Sequence, residues 1–369
     1  ILLLREERFR VSGKCVFGII GSGWRAEFYM RIAQALPDLF EVCGVVSSSE
    51  EKRTSIHSKY GYRVYSTREE LLSSTKPDFI VVSVNGSVAC DVTTQLLLEG
   101  IPVLAETPPA KDLNGLKQLN RLAASGSKIQ VAEQYWLQPM YQAALSVIQS
   151  GRLGECRYVH VSFSHGYHAV SMIRKVLDIG FENAEIEARG FSFPTVVGFG
   201  RTGLPEKEIV QMNPHQLAFL DFGGKVGFYD FETSQHRSWA RSQRVMARGE
   251  RGEINNDSVK YLKDYRTPIE FNLKRMQAGE GTNLEGFFLK GILAGEDWVY
   301  VNPFLPASLN DDEIAVVTCL VKMRDYVFGG PSFYSLAEAS QDHYLAMMIH
   351  KAIETGCRIV TETQEWAQR

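Results

Sequence analysis

Residues 15–26 read Cys15-Val16-Phe17-Gly18-Ile19-Ile20-Gly21-Ser22-Gly23-Trp24-Arg25-Ala26. The first six are apolar without interruption and end at a glycine, the pattern of a short strand buried on both faces. A helical stretch, 24–36, follows and stops before Pro37. In a Gly-x-Gly-x-x-Ala turn at this position, Gly21 permits the tight turn and Gly23 a close backbone approach, while Ala26 lets the helix pack on the strand. Free N–H groups at the helix start then face an anion. A strand–helix turn that simply needs glycines reads the same locally, so the surrounding chain has to decide.

Outward from this turn the chain alternates. Strands are expected at 41–46, 62–65, 78–84, 102–106 and 128–132, with helices at 50–60, 67–73, 88–99 and 112–125 between them. Gly61 and Gly100 stand where helices end. Strict alternation with short connections means a parallel, doubly wound sheet. In that setting the turn reads as the dinucleotide-binding turn of a Rossmann domain, made by Gly21, Ser22, Gly23, Trp24, Arg25 and Ala26. An NAD site usually carries an acidic residue at the end of the second strand to hold the ribose diol. This chain has Ser47-Ser48-Ser49 followed by Glu50-Glu51-Lys52-Arg53. Hydroxyls on Ser47 and Ser48 with Lys52 and Arg53 nearby suit a 2′-phosphate, so NADP is preferred over NAD. The other reading of these serines is a helix cap.

After about residue 135 the pattern changes. A helix at 139–150 leads into alternating strands at 156–163, 185–193, 216–222, 225–232 and 243–248. Residues 253–283 are polar and charge-mixed and read as a long excursion; helices return at 311–328 and 336–355. Such runs of strands mean an α+β domain with an open, largely antiparallel sheet. The expected division is 1–134 for the Rossmann domain and 135–369 for an α+β substrate-binding and oligomerisation domain.

Hydrophobic content of 44% and charged content of 22% are those of a globular protein with a sizeable core. A formal net charge of −3 provides no basic field for nucleic acid. The six cysteines show no CxxC and no His/Cys cluster at zinc spacing, so no metal site is expected; reduced thiols and a cytoplasmic location are. The apolar start Ile1-Leu2-Leu3-Leu4 is too short for a signal peptide or a membrane span.

The whole chain resembles the Gfo/Idh/MocA family of NAD(P)-dependent oxidoreductases. The resemblance rests on the turn at 21–26, Val81-Val82-Ser83-Val84-Asn85, Val103-Leu104-Ala105-Glu106-Thr107-Pro108 and Gly151-Arg152-Leu153-Gly154-Glu155. His165-Gly166-Tyr167-His168-Ala169-Val170 and Ser335-Leu336-Ala337-Glu338-Ala339-Ser340-Gln341-Asp342-His343 complete it. It implies that Ser83, Asn85, Glu106 and Thr107 lie beside the cofactor, and that the chain forms a homodimer or homotetramer through its second domain. It also implies a Glu-Lys-Pro whose lysine faces the reacting hydroxyl; here the tripeptide is Glu106-Thr107-Pro108. Of the family's aspartate and histidine four residues apart, His168 matches the histidine, and Ser164 stands at the aspartate. An arginine frequent before a linker proline is replaced by Trp136, ahead of Pro139.

Oxidising an alcohol requires a base and reducing a carbonyl an acid; an imidazole near its ordinary pKa serves as either. Lysine would also stabilise alkoxide charge, whereas threonine only hydrogen-bonds. The resemblance therefore makes His168 the acid–base group, with Thr107, Ser164 and Tyr135 as further catalytic candidates. A helix-start histidine bonded to backbone is the plainer alternative, and a core aromatic is the plainer one for Tyr135. The implied function is hydride transfer between nicotinamide and a small polar substrate such as a sugar or cyclitol. Two others stand beside it: reduction of an imine or conjugated system, and a non-catalytic regulator that senses NADP or a sugar.

Overall fold

The computed structural model describes residues 13–201 and 203–368; the apolar start of the chain lies outside them. The described residues divide into two compact units. The first runs up to Pro139 and takes in Met276–Lys290 and Val301–Ala339; the second is Met140–Arg275, Gly291–Tyr300 and Ser340–Arg369.

The first unit begins with β1 (Cys15–Ile20), α1 (Trp24–Ala35), β2 (Phe40–Val46), α2 (Glu50–Tyr60), β3 (Val64–Tyr65), α3 (Arg68–Ser74) and β4 (Phe79–Val82). α4 (Gly86–Leu98), β5 (Val103–Ala105), α5 (Leu113–Ala124) and β6 (Ile129–Val131) follow. The six strands form one parallel sheet in the order β3-β2-β1-β4-β5-β6, as the alternation requires. β1 is the hydrophobic centre. Phe17 is fully buried and stacks on Phe79 with centroids 5.6 Å apart, and Phe40 meets it edge-on. Strand order reverses between β1 and β4, and the crevice at their carboxyl ends is where such sheets bind ligands. Caps set the helix starts. Ser49, Thr67, Asn85 and Asp112 each accept a backbone N–H from the first turn of α2, α3, α4 and α5.

The second unit contains most of α6 (Pro139–Gln149), β7 (Cys156–Ser162), α7 (Gly166–Leu177), β8 (Glu185–Val196), β9 (Val210–Asp221) and β10 (Val226–Glu232). β11 (Arg244–Gly249), β12 (Gly252–Asn255), β13 (Ser258–Asp264), β14 (Thr267–Gln277), β15 (Leu289–Ala294) and β16 (Asp297–Val301) continue it. After α8 (Asp311–Val327), the chain ends in α9 (Leu336–Thr355) and β17 (Ile359–Val360). The sheet order is β16-β15-β14-β13-β12-β11-β7-β10-β9-β8-β17. From β14 through to β17 in that order, pairing is antiparallel except between β7 and β10. A buried ion pair, Arg174 Nη1 to Asp342 Oδ1 at 2.6 Å, ties α7 to the segment of α9 in this unit. Phe191, Met212 and Phe219 on β8 and β9 remain exposed.

Two expectations are corrected. The stretch 253–283 is not an excursion: most of it forms β12, β13 and β14, whose register runs Ile254↔Val259 and Val259↔Phe271. Its residues are exposed for most of their length, and the many charged positions outweigh the alternating Ile269, Phe271 and Leu273 that mark the less exposed face. The second unit is also not one contiguous segment from residue 135. α8 belongs to the first unit, where Glu313 takes Arg31 of α1 at 2.7 Å and Asp312 accepts from Gln138 at 2.7 Å. Gln130 of β6 likewise accepts from Ser332 Oγ and from the amides of Phe333 and Tyr334. No helix among the described residues is long and apolar enough to cross a membrane.

Candidate active site

The dinucleotide turn is built from two glycines with different constraints. Gly21 has φ +124°, and a Cβ there would lie 2.0 Å from the Ser83 carbonyl oxygen. Its amide donates to Val46 O, so the turn is locked to the ends of both β2 and β4. Gly23 is extended, with φ −81°, and no protein atom lies within 4 Å of a Cβ built on it. It caps α1 with no side-chain hydrogen bond, leaving first-turn N–H groups for an outside acceptor. The turn thus has a fixed base and an open lip. A pyrophosphate fits this cradle, and a side chain at Gly23 would fill it.

At the end of β2, the Ser47 hydroxyl lies 2.7 Å from that of Ser22 and is buried. Ser48 and Lys52 are exposed. Arg53, read from sequence with Lys52 as a cation for the 2′-phosphate, donates to the carbonyls of Ser47 and Ser48 at 3.0 and 3.1 Å. Ser49 provides the cap of α2, so capping and the ribose end draw on different serines. Ser83 donates its amide to Ile20 O, while the Asn85 side chain caps α4.

A cation from the turn lies beside the Glu106-Thr107-Pro108 tripeptide. Arg25 lies over the Trp24 and Phe28 rings, 5.0 Å from each centroid, with Nε 3.7 Å from Glu106 Oε1. The same oxygen accepts from Tyr29 Oη at 2.5 Å, and Thr107 N donates to the other carboxylate oxygen at 3.4 Å. In the amide orientation that satisfies both ends, Gln134 accepts from Arg25 at 2.7 Å and donates to Ala132 O. Burial raises the pKa of Glu106, against the opposing pull of Arg25 and Tyr29. Burial also pushes Glu133, which accepts from Tyr135 N, up to about 8, so it is protonated at neutral pH. Tyr29, Glu133 and Gln134 were missed from sequence; a charged residue inside a glycine turn was the available signal, since it requires a counter-ion nearby. Trp136 packs 6.0 Å from Tyr334.

In the second unit, histidines gather at the start of α7. His165 is the N-cap; His168 is 5% exposed, with its ring 5.1 Å from that of His165 and 4.4 Å from Tyr167. Ser164, at the missing aspartate, is fully buried, and its hydroxyl has no hydrogen-bond partner among the described residues. Tyr229 Oη accepts from Gly166 N and donates to Gln216, fixing the start of the helix. His236, not identified from sequence, faces His165 with Nε2 3.3 Å from Nδ1. It comes from a point 71 residues away along the chain. Asp230 is the neighbour of Tyr229 and Phe231 on β10 and so projects from the opposite face. There it accepts from His160 and His215 at 3.2 and 2.5 Å, and although burial opposes it, those bonds hold its pKa below the usual value.

The strand order and the turn are those of a dinucleotide-binding Rossmann domain. Residues 15–135 match the model of GFO_IDH_MocA, the oxidoreductase family with an NAD-binding Rossmann fold. Two uncharacterised oxidoreductases of Schizosaccharomyces pombe are similar. One is 31% identical over 144 residues and the other 29% over 145, in each case 37% of this chain and 38% of the relative. The chain thus spans just over a third of the length of the curated relatives it matches. Solved structures share the fold along the chain. An Agrobacterium radiobacter oxidoreductase bound to NAD+, L-tartaric acid and magnesium is 14% identical, with TM-score 0.69 over 94% of this chain and 98% of that one. A putative myo-inositol dehydrogenase from Sinorhizobium meliloti is 14% identical, with TM-score 0.65 over 94% and 99%.

Proposed function

We propose that the protein transfers a hydride between a nicotinamide cofactor, NADP in preference to NAD, and a small polar alcohol or carbonyl compound of the sugar or cyclitol class. The observation that carries this reading is the turn: Gly21 is required by the fold, while Gly23 is left open to a ligand. When bound, the cofactor supplies or accepts the hydride. The chain's own residues do the rest. Gly21 to Ala26 and the start of α1 hold the pyrophosphate, and Ser47, Ser48 and Lys52 take the ribose end. Ser83, Asn85, Glu106 and Tyr135 line the nicotinamide side, and Thr107 orients the nicotinamide amide or the substrate. His168 gives or takes the substrate's proton, with Ser164 behind it. The fold shared with a putative myo-inositol dehydrogenase supports the polyol class. Thr107 in place of lysine favours a second reading, an imine or conjugated electrophile, because a threonine adds no cation beside the forming charge.

Fluorescence titration tests the cofactor assignment. NADPH is expected to bind more tightly than NADH, and Ser47→Asp to shift the preference toward NADH by about 1–2 kcal/mol, roughly tenfold in relative affinity. Equal affinities in the parent would overturn the assignment. The exposed Phe191, Met212 and Phe219 support self-association through the second unit's sheet. Light scattering at micromolar protein is expected to give a dimer or tetramer mass, and a monomer mass would remove this part of the proposal.

A further inference from the structure

Between Glu232 and Glu250 the chain carries four arginines, Arg237, Arg241, Arg244 and Arg248, and no carboxylate. Two of them have partners: Arg241 Nε lies 3.7 Å from Glu232 and Arg248 Nε 2.9 Å from Glu253. Arg237 is half-buried, and among the described residues its guanidinium meets no carboxylate and makes no hydrogen bond. A guanidinium stays charged in a protein, and a partly desolvated cation without a counter-ion is costly. Arg237 stands on the 3-10 turn Gln235–Arg237 between β10 and β11. It lines an open cavity of about 330 Å³ with Phe199, Gln211, Thr233, Ser234 and His236, and no acidic residue lines that cavity. Glu232, just before the turn, is buried and engaged, accepting from Ser234 N and Oγ. The turn is firmly held. Gln235 Nε2 donates to Ser162 O, Ser162 Oγ and Ser242 O, and Gly198 packs so closely that a Cβ there would overlap Arg237 O.

The cavity adjoins the imidazoles at the start of α7. His236 lines it and faces His165, with Nε2 3.3 Å from Nδ1, and the His165 ring stands 5.1 Å from that of His168 between centroids. All of these residues belong to the second unit. We propose that the cavity receives an anionic group of the substrate, with Arg237 as its counter-ion, so that the polyol or ketone acted on carries a phosphate or a carboxylate. The proposal rests on the reading that His168 serves the substrate. A planar guanidinium presents parallel N–H groups that match the oxygens of either anion, and such bonds are charge-assisted on both sides. The other polar groups of the wall are partly used up within it. Gln211 and Thr233 donate to Asn213 Oδ1, and Ser234 Oγ donates to Glu232. Arg237 is the one lysine or arginine among the residues lining the cavity. A neutral polyol would leave it half-buried and unpaired, whereas an anionic one pairs it, and that difference selects for charge.

The test reads binding, not turnover. In the full chain, with and without NADPH, calorimetry compares myo-inositol 1-phosphate and glucuronate with their neutral counterparts, myo-inositol and glucose. At least one of the two anions is expected to bind at least tenfold more tightly than its neutral counterpart, and which one does so separates phosphate from carboxylate. Arg237→Gln is expected to abolish that preference while leaving the neutral compounds, NADPH and the thermal midpoint unchanged, since the side chain makes no bond within the fold. Arg237→Lys, which keeps the charge but not the fork, is expected to retain part of it. Arg248→Gln, whose parent residue pairs with Glu253, is the control and is expected to keep all of it. Anions that bind no more tightly than the neutral compounds would overturn the proposal, as would a preference that survives Arg237→Gln. Arg237-dependent anion binding without turnover of any compound would uphold the site and remove the hydride-transfer reading; turnover of neutral polyols with no preference for charge would do the reverse.

Discussion

Gly23→Val is expected to weaken NADPH binding by at least about 100-fold, close to 3 kcal/mol, with the thermal midpoint nearly unchanged. The reason lies in the space around the residue. A Cβ at Gly23 touches no protein atom, and the backbone there is extended and open to any residue, so the folded chain accepts valine without strain. The only object that the isopropyl group would displace is a pyrophosphate against the helix start. Gly21 provides the contrast. Alanine there would bring a Cβ to 2.0 Å from Ser83 O at a φ of +124°, so Gly21→Ala is expected to lower the melting temperature first. The two substitutions, two residues apart, should therefore fail in different assays. Parent-like affinity in Gly23→Val would mean that the cofactor binds elsewhere.

The second large effect is expected at His168. With a panel of polyols, their ketones and cyclic imines, and NADP or NADPH, His168→Ala should lower turnover by about 10²–10⁴-fold, the range for loss of a general acid–base group. Cofactor affinity should stay within about twofold, because the pyrophosphate and ribose contacts come from Gly21 to Ala26, Ser47, Ser48 and Lys52 and not from His168. Thr107→Ala should cost about tenfold at most, since one neutral hydrogen bond contributes only about 1 kcal/mol. Thr107→Lys separates the two substrate readings. Activity on alcohols or ketones should hold or rise, whereas an imine-reducing site should lose activity with a cation beside the forming charge. A His168→Ala variant as active as the parent would exclude the mechanism whichever way the lysine result falls.

The sequence by itself determined the parallel sheet and its turn, because each signal there is local. Cys15 to Ile20 are apolar in succession because both faces of β1 are covered, and Ser49, Thr67 and Asp112 mark helix starts by bonding three residues ahead. α2 falls at 50–60 and α9 at 336–355, as read from sequence. β12 to β14 were not read as strands although Ile269, Phe271 and Leu273 alternate with polar residues: the charged positions around them masked the less exposed face, and the strands that pair with them leave no mark in hydropathy. The return of α8 to the first unit was also hidden, since helical periodicity shows that a face is buried but not which partner buries it. The same limit applied to the site. The Gly-x-Gly-x-x-Ala spacing located the turn, but Arg25 meets Glu106 across 81 residues and His165 meets His236 across 71. Contacts at such separations leave no periodic trace in the chain. Only the strand order, which brings the ends of β1 and β5 and the starts of α7 and the 235–237 turn to their places, decided which charges and imidazoles face one another.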